Sequence, residues 1–235
     1  MAPTKLTASV LRTLPLFATL ADDELAALLP SVKQHSYPTR RAILHAGEAS
    51  DGVYFILSGR VKILLEDGHG REMMVASLGP NDFFGEMAFV DGGPRSATVE
   101  AYGACEVLHI PAKRLRECLQ NNVGAVTLVL RTVVERMRKA DRKIHDLALV
   151  DVYGRVAATL LETSLEADGE WLVGPGCEQI ASMVGASREM VSRVLRDMID
   201  KGVICRKRRR LIVLDRAALA DPSRGARNPV KATAP

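Results

Sequence analysis

The chain has 235 residues, of which 47% are hydrophobic and 26% charged, and its formal net charge is +4. This composition is typical of a globular protein with one large or two small cores. No run of about 18 uncharged apolar residues is present, which excludes a transmembrane helix. The N-terminus also lacks the apolar run and cleavage site of a signal peptide, so we expect a cytoplasmic protein without a membrane partner.

The four cysteines are too far apart in sequence for a clamp of the CxxC type. They are Cys105, Cys118, Cys177 and Cys205. The sequence therefore predicts no metal, haem or iron–sulfur cluster. A haem or redox sensor is the alternative, and it would depend on His69 and these scattered thiols.

The first part of the chain changes from helical to strand patterns. Residues 6–30 have the apolar spacing of two short amphipathic helices. From residue 37 to residue 110, short runs of β-branched and apolar residues alternate with turn sequences such as EDGHG and DGGPR. The runs are GVYFIL, RVKILL, MMVASL, SATVEA and CEVLHI. Many short strands at regular spacing indicate a sandwich or barrel.

A heptad pattern follows the strands. Apolar residues alternate spacings of four and three over three heptads, which indicates one long helix with an apolar seam. The seam residues are Val126, Leu130, Val133, Met137, Ala140, Ile144 and Leu147. A core helix packed on the chain's own strands is the alternative, but the length of the seam favours a coiled coil between two copies of the chain.

Residues 177–204 have the pattern of a helix-turn-helix. Gly185 stands at the turn, where a positive φ favours glycine, and Ser187 is a good N-cap for the second helix. Polar residues face outward from that helix or flank it: Arg188, Glu189, Ser192, Arg193 and Arg196. Ser187, Arg188, Glu189, Ser192 and Arg193 are the predicted DNA contacts of this helix. Arginine can contact guanine and glutamate can contact cytosine, so we expect Arg188, Glu189 and Arg193 to read bases. A solvated, salt-bridged helix face is the alternative.

A basic hairpin follows directly. The sequence CRKRRRLIVLD has five consecutive basic residues at the expected tip of a β wing, where they would contact phosphates. They are Arg206, Lys207, Arg208, Arg209 and Arg210. A solubilising turn is the alternative interpretation.

The motifs FGEMAF, GGPRSATVEA, LVDVYGRVA and VGASREMVSRVL resemble, in order and spacing, those of the Crp/Fnr family of bacterial regulators, and most of all its cyclic-AMP receptor branch. The resemblance implies an α+β fold. It predicts a jelly-roll-like β-roll that binds cyclic nucleotides at 14–120, a dimerisation helix at 121–149 and a winged helix-turn-helix at 150–221. The remaining residues, 222–235, are rich in Pro, Gly and Ala and are predicted to be disordered.

In this family the loop GEMAFVDGGPRSA is the phosphate-binding cassette. The resemblance implies that Glu86 accepts a hydrogen bond from the ribose 2′-hydroxyl and that Arg95 binds the cyclic phosphate. The predicted contact residues in this loop are Gly85, Glu86, Met87, Arg95, Ser96 and Ala97. The alternative is a vestigial pocket, in which Glu86 and Arg95 pair with each other and DNA binding is independent of a ligand.

The match fails where the adenine-contacting residues are expected. Two hydroxyl residues of the relatives are replaced here by Ala140 and Asp141. An ionised carboxylate only accepts hydrogen bonds, and guanine presents donors at N1 and N2 whereas adenine presents an acceptor at N1. Cyclic AMP is therefore the first candidate effector, and cyclic GMP or cyclic di-GMP is the alternative. Asp141 could also simply pair with Lys139 or Arg142 in solvent.

We therefore expect a homodimeric transcription regulator that is switched by a cyclic nucleotide and is not an enzyme. Its DNA sites should be near-palindromes with TGTGA-like half-sites, and RNA polymerase is an expected partner. An enzyme would need more than His45 and Glu48, which have no third ligand nearby in sequence. A cyclic-nucleotide module of a kinase or channel would need a different effector domain.

Overall fold

The computed structural model describes residues 6–70, 72–120, 122–167, 169–208 and 210–220. The chain divides into two compact units, residues 1–140 and 141–235. The predicted disordered tail, 222–235, and the predicted DNA contact Arg209 lie outside the described residues.

Among its described residues, the first unit contains short helices, eight strands and most of one long helix. Its helices are α1 (Ala8–Thr13), α2 (Asp22–Leu28), α3 (Glu86–Asp91), α4 (Ala112–Leu119) and α5 (Val123–Leu149), the last of which ends in the second unit. Its strands are β1 (Lys33–Tyr37), β2 (Ala42–Leu44), β3 (Gly52–Ser58), β4 (Val61–Glu66), β5 (Glu72–Leu78), β6 (Phe83–Phe84), β7 (Thr98–Ala101) and β8 (Cys105–Pro111). All five predicted strands are confirmed, as β3, β4, β5, β7 and β8.

The strands form two antiparallel four-stranded sheets, in the orders β1-β8-β3-β6 and β2-β7-β4-β5. Alternate residues of β3 point to opposite faces, as the pleat of a strand requires. Tyr54 and Ile56 join a cluster that draws on both sheets. Val53 and Phe55 instead join a cluster with α1, α2 and α4. The first sheet is therefore covered on both faces, by the second sheet and by helices, and the predicted β-roll is confirmed.

The predicted long helix is confirmed as α5, a single helix of 27 residues. Its inner face packs on the first unit through Ala125, Leu128 and Val129. The large apolar residues of the predicted seam do not lie on this inner face, and their exposed fractions range from 36% at Val133 to 64% at Ile144. The helix thus carries a second apolar stripe that no other described part of the chain buries.

The second unit is a winged helix-turn-helix, as predicted. Its elements are α6 (Val152–Thr163), β9 (Ser164–Ala167), β10 (Glu170–Val173), α7 (Cys177–Val184), α8 (Arg188–Asp200), β11 (Ile204–Lys207), β12 (Arg210–Val213) and α9 (Arg216–Ala220). The four strands form one antiparallel sheet in the order β11-β12-β10-β9. Helix and sheet residues share one apolar core, in which Leu160, Ile180 and Leu195 are buried. This core fixes α8 against α7 and sets the position of the β11–β12 wing.

Candidate functional site

The predicted cassette begins at a sharp turn that requires glycine. Gly85 has a φ of +83° and lies between β6 and α3. A Cβ at this position would lie 2.4 Å from Arg95 Nη1 and 3.4 Å from the carbonyl oxygen of Gly52. Both the backbone conformation and the space therefore exclude a side chain here. The absence of a Cβ lets the arginine approach the chain at the start of the cassette.

Arg95 is a buried cation that two contacts hold in place. Only 3% of the surface of Arg95 is exposed. Nη1 donates to the carbonyl oxygen of Gly85 at 3.0 Å, and Nη2 donates to Asp51 Oδ1 at 2.7 Å. The guanidinium carbon lies 5.8 Å from the centre of the Tyr54 ring. Arg95 Nε has no partner among the described residues, so the cation keeps hydrogen-bonding capacity for an anion.

Glu86 is the second buried charge of the cassette, and its partner comes from α5. Arg136 Nη1 donates to Glu86 Oε1 at 2.5 Å, and the same guanidinium also donates to the carbonyl oxygen of Phe83. The ring of Phe83 lies 5.2 Å from the guanidinium carbon of Arg136. Glu86 and Arg95 thus bind different partners, and the direct pair that would indicate a vestigial pocket is not formed.

The remaining predicted cassette residues are more open. Met87 and Ser96 are exposed, and the Ser96 hydroxyl lies 3.3 Å from Met87 Sδ. Ala97 is half-buried. A side chain that is exposed and only weakly bonded remains free to contact a ligand. The structure thus brings a buried cation, a buried carboxylate and an exposed hydroxyl into one loop.

Ala140 and Asp141 are both exposed on α5. They are the last residue of the first unit and the first residue of the second. Their expected contact with the base of a nucleotide remains a prediction.

Two partners in this region were missed by the sequence analysis, Asp51 for Arg95 and Arg136 for Glu86. Arg136 is one of several basic residues on α5, and its side chain is distinguished only by its tertiary contacts. Asp51 lies in the turn before β3 and is 44 residues from Arg95. No local pattern in the sequence links either partner to the cassette.

The predicted recognition helix, α8, presents its polar residues to solvent. The Ser187 hydroxyl accepts a hydrogen bond from the Met190 N–H at 3.2 Å, which confirms the predicted N-cap. The side chains of Arg188, Glu189, Ser192 and Arg193 are exposed, while the opposite face of the helix is buried. A hydrogen bond from its own backbone N–H, helped by the Ser187 hydroxyl, lowers the pKa of Glu189. The lowered pKa favours the ionised form of Glu189, which can accept hydrogen bonds from a base.

The wing carries exposed basic residues at its tip. They are Arg206, Lys207, Arg208 and Arg210. Lys207 and Arg210 are paired across the hairpin. Arg208 has a φ of +48°, a conformation that is uncommon for arginine and places it at the turn. Lys207 Nζ lies 2.7 Å from Glu170 Oε1 in the neighbouring hairpin, so one of the cations already has an anionic partner.

Within the second unit, Arg155 and Lys143 connect the end of α5 to the turn after α7. Arg155 Nη1 donates to the carbonyl oxygen of Val150 at 2.6 Å, and its Nε donates to that of Val184 at 3.0 Å. Lys143 donates to the carbonyl oxygen of Met183, and burial lowers the pKa of its amine. Arg155 Nη1 also lies 3.4 Å from the carbonyl oxygens of Asp146 and Leu147 at the end of α5. The last carbonyls of α7 are thus satisfied by both cations, and those of α5 by Arg155.

Comparison with protein-family models assigns residues 34–122 to the cyclic nucleotide-binding domain and residues 154–221 to the Crp-like helix-turn-helix domain. The chain is 33% identical over 199 residues to the cAMP-activated global transcriptional regulator CRP of Pasteurella multocida, which covers 82% of this chain and 95% of the relative. It is 35% identical over 200 residues to the cAMP-activated regulator Vfr of Pseudomonas aeruginosa, covering 80% and 92%. The chain belongs to the Crp/Fnr family of transcription regulators.

Solved structures agree with this Crp/Fnr fold. The c-di-GMP-responsive global regulator CLP of Xanthomonas campestris aligns with a TM-score of 0.72 at 24% identity, over 82% of this chain and 99% of that one. At this identity the likeness concerns the fold alone.

Two further observations concern metal sites and membrane-spanning helices. Among the described residues, no three or more histidine, cysteine, aspartate or glutamate side chains are grouped so as to hold a metal ion. The Glu48 carboxylate instead accepts a hydrogen bond from the backbone N–H of His45 at 3.1 Å, which is a structural role in a turn. None of the described helices is both long enough and apolar enough to span a membrane.

Proposed function

We propose that this Crp/Fnr regulator is a homodimer whose binding to DNA is controlled by a cyclic nucleotide held by Glu86, Arg95 and Ser96. The observation that carries the proposal is the buried Arg95, which two contacts fix while its Nε remains unpartnered. Residues 14–120 would bind the nucleotide, 121–149 would pair with a second copy and 150–221 would bind DNA. The protein would act in the cytoplasm, where its DNA is, and not as an enzyme.

We take cyclic AMP as the first candidate effector. The relatives from P. multocida and P. aeruginosa are named as cAMP-activated, and this chain is 33% and 35% identical to them. A planar guanidinium such as that of Arg95 suits the two free oxygens of a cyclic phosphate. The buried Glu86 carboxylate has a second oxygen that can accept a hydrogen bond from the ribose 2′-hydroxyl.

A guanine-based effector, cyclic GMP or cyclic di-GMP, is the second candidate. It is favoured by the exposed carboxylate of Asp141 and by Ala140, which offers no side-chain hydrogen bond. A carboxylate that only accepts can take both N–H donors of guanine, but it repels the N1 acceptor of adenine. Asp141→Ser would then shift the preference from guanine toward adenine.

The dimer would form along the exposed seam of α5. A heptad stripe of large apolar residues on one helix buries itself by pairing with an identical stripe. Apolar side chains left open to solvent over several turns mark an interaction surface rather than a solvated face. The two-fold axis of such a dimer would give two recognition helices about 34 Å apart, one turn of DNA.

The DNA site would then be a near-palindrome. We propose that Arg188, Glu189 and Arg193 read base edges in TGTGA-like half-sites, with Ser187 and Ser192 beside them. The wing residues Arg206 to Arg210 would contact phosphates, and RNA polymerase would be the partner on the promoter. The exposure of the described side chains among them, on α8 and at Arg206, Lys207, Arg208 and Arg210 of the wing, supports the proposal.

Calorimetric titration of the purified protein with cyclic AMP, cyclic GMP and cyclic di-GMP tests the ligand. Arg95→Leu should abolish binding, and Arg114→Leu is the matched control because Arg114 is an exposed arginine of the same unit that pairs with the exposed Glu117. Tight binding of cyclic AMP supports the first candidate, and preferential binding of a guanine nucleotide supports the second. If no nucleotide binds, the pocket is vestigial and the proposal is wrong.

A further inference from the structure

A charged cluster surrounds Asp51, next to Arg95, the proposed phosphate-binding residue. The Asp51 carboxylate lies close to two groups: Oδ1 accepts a hydrogen bond from Arg95 Nη2 at 2.7 Å, and Oδ2 lies 3.2 Å from His109 Nε2. The second contact has the distance of an ion pair but not the geometry of a hydrogen bond, so His109 Nε2 has no hydrogen-bond partner among the described residues. The side chains of Arg95 and His109 are almost fully buried, whereas that of Asp51 is 60% exposed. One partly solvated carboxylate is therefore the shared counterion of a permanent cation and a titratable ring.

The sheet brings these groups together. His109 lies on β8, opposite Tyr54 of β3 and Lys33 of β1. Its ring fits against the start of β3 because Gly52 has no side chain, since a Cβ there would lie 2.7 Å from His109 Nε2. Asp51 precedes that glycine, and its carboxylate lies beside the ring. The contact is thus built into the strand register.

We infer that Asp51 competes with the phosphate of the effector for Arg95, and that the proton on His109 sets the strength of this competition. The inference rests on the proposed function, because it takes Arg95 as the phosphate-binding residue. It makes Asp51 and His109 positioning residues that set affinity without contacting the nucleotide.

The electrostatic reason is a simple sum of charges. When His109 is neutral, the carboxylate of Asp51 cancels the charge of Arg95, and a cyclic phosphate meets a cluster with no net charge. When His109 is protonated, Asp51 is the counterion of both His109 and Arg95. The cluster then has a net charge of about +1, which attracts the phosphate. Affinity for the phosphate should therefore rise when His109 gains a proton.

Other groups face His109 and bias its titration. They are Asp51, His35, Lys33 and Arg95. The ring of Tyr54 packs against that of His109, with the ring centres 4.7 Å apart. Burial lowers the pKa of His109 from its ordinary value, Asp51 opposes that shift, and His35, Lys33 and Arg95 add to it. A bound anion would stabilise the imidazolium and so raise the pKa of His109. Binding would then take up a proton, and affinity would increase as the pH falls below about 6.5, because burial places the titration of His109 below the ordinary histidine range.

The test is calorimetric affinity for cyclic AMP, cyclic GMP and cyclic di-GMP at about pH 5 and about pH 8, the lower pH being chosen because burial lowers the pKa of His109. For whichever of them binds, wild-type protein should bind on the order of 5- to 10-fold more tightly at the lower pH, which corresponds to a pKa shift of about one unit. Titrations in two buffers with different ionisation enthalpies should show proton uptake at intermediate pH.

Two variants isolate the cluster. His109→Gln keeps a hydrogen-bond donor near Asp51 but cannot be protonated, so its affinity should be the same at both pH values. Asp51→Asn can still accept from Arg95 Nη2 but has no charge, so at about pH 8 it should bind the nucleotide more tightly than wild type. His45→Gln is the control, since His45 is an exposed histidine of the same unit that is not among the groups facing His109, and it should keep the pH response.

The outcomes separate this inference from the proposal on which it rests. If none of the three nucleotides binds at either pH, both are wrong. If wild-type protein binds one equally well at both pH values, or if His109→Gln keeps the response, only the role of Asp51 and His109 is wrong. Thermal melting of each variant shows whether the substitution affects stability. A variant that loses stability but keeps the pH response would show that the residue has only a structural role, and this too would contradict the inference.

Discussion

Glu86 of the cassette and Arg136 of the long helix form a partly buried ion pair, with Oε1 and Nη1 2.5 Å apart. The pair connects the loop that would hold the nucleotide to the helix that would form the dimer, within one compact unit. Glu86 is 5% exposed, so its carboxylate depends on this partner. A ligand that contacts Glu86 would therefore act directly on a residue of α5.

Removal of Arg136 should destabilise the first unit. Arg136→Met leaves the buried Glu86 carboxylate without its charged partner, and we expect a loss of about 1–3 kcal/mol in the free energy of unfolding. Urea denaturation measures it. Arg138→Met is the control, since Arg138 is exposed on the same helix. Equal stability of the two variants would show that the ion pair contributes nothing.

Gly85→Ala should harm the pocket more than a backbone effect alone would explain. The new Cβ would lie 2.4 Å from Arg95 Nη1, so the guanidinium must move, and we expect affinity for the nucleotide to fall at least tenfold, a change of about 1.4 kcal/mol. Gly47→Ala is a matched control, because Gly47 has a φ of +85° but no atom within 4 Å of the added carbon. Similar losses of affinity in both variants would contradict the steric explanation.

A charge on the seam should separate the dimer. Leu130 is 60% exposed on α5, and Leu130→Glu would place two carboxylates against each other in the proposed coiled coil. Sedimentation should show a monomer with an intact fold by circular dichroism. Leu65→Glu, at an exposed leucine of β4, should remain dimeric. A dimeric Leu130→Glu protein would place the interface elsewhere.

Two arginines of the second unit should have different roles on DNA. Arg193→Ala should relax the preference for one base pair of the half-site, at a cost of about 1–3 kcal/mol. Arg206→Ala should weaken binding to all sequences alike and reduce the slope of log affinity against log salt by about one. Fluorescence anisotropy with a set of single-base duplex variants measures both. A base-specific effect of Arg206→Ala would contradict its assignment to phosphate.

Much of the fold could be predicted because its elements have strong local patterns. The five apolar strands, the heptad helix and the capped recognition helix each repeat a simple period over several residues. β1 was missed since its sequence, KQHSY, lies at the edge of a sheet and has no apolar alternation. β6 was missed since it has only two residues.

The candidate site could be predicted only in part. The resemblance to the Crp/Fnr family pointed to Glu86 and Arg95, whose positions in the cassette follow a short motif. Their counterions, Arg136 and Asp51, are separated from them by 50 and 44 residues and become neighbours only through the sheet and α5. Long-range pairs of this kind depend on the register of distant strands, which no local pattern encodes.

A nucleotide bound at Arg95 would control the binding of DNA by this regulator. The most direct measurement is the affinity for a palindromic duplex with TGTGA-like half-sites, with and without cyclic AMP, for wild type, Arg95→Leu and Arg114→Leu. We expect cyclic AMP to tighten DNA binding at least tenfold in wild type and in Arg114→Leu, and to have no effect on Arg95→Leu. The same DNA affinity for all three proteins, with or without cyclic AMP, cyclic GMP or cyclic di-GMP, would contradict the account.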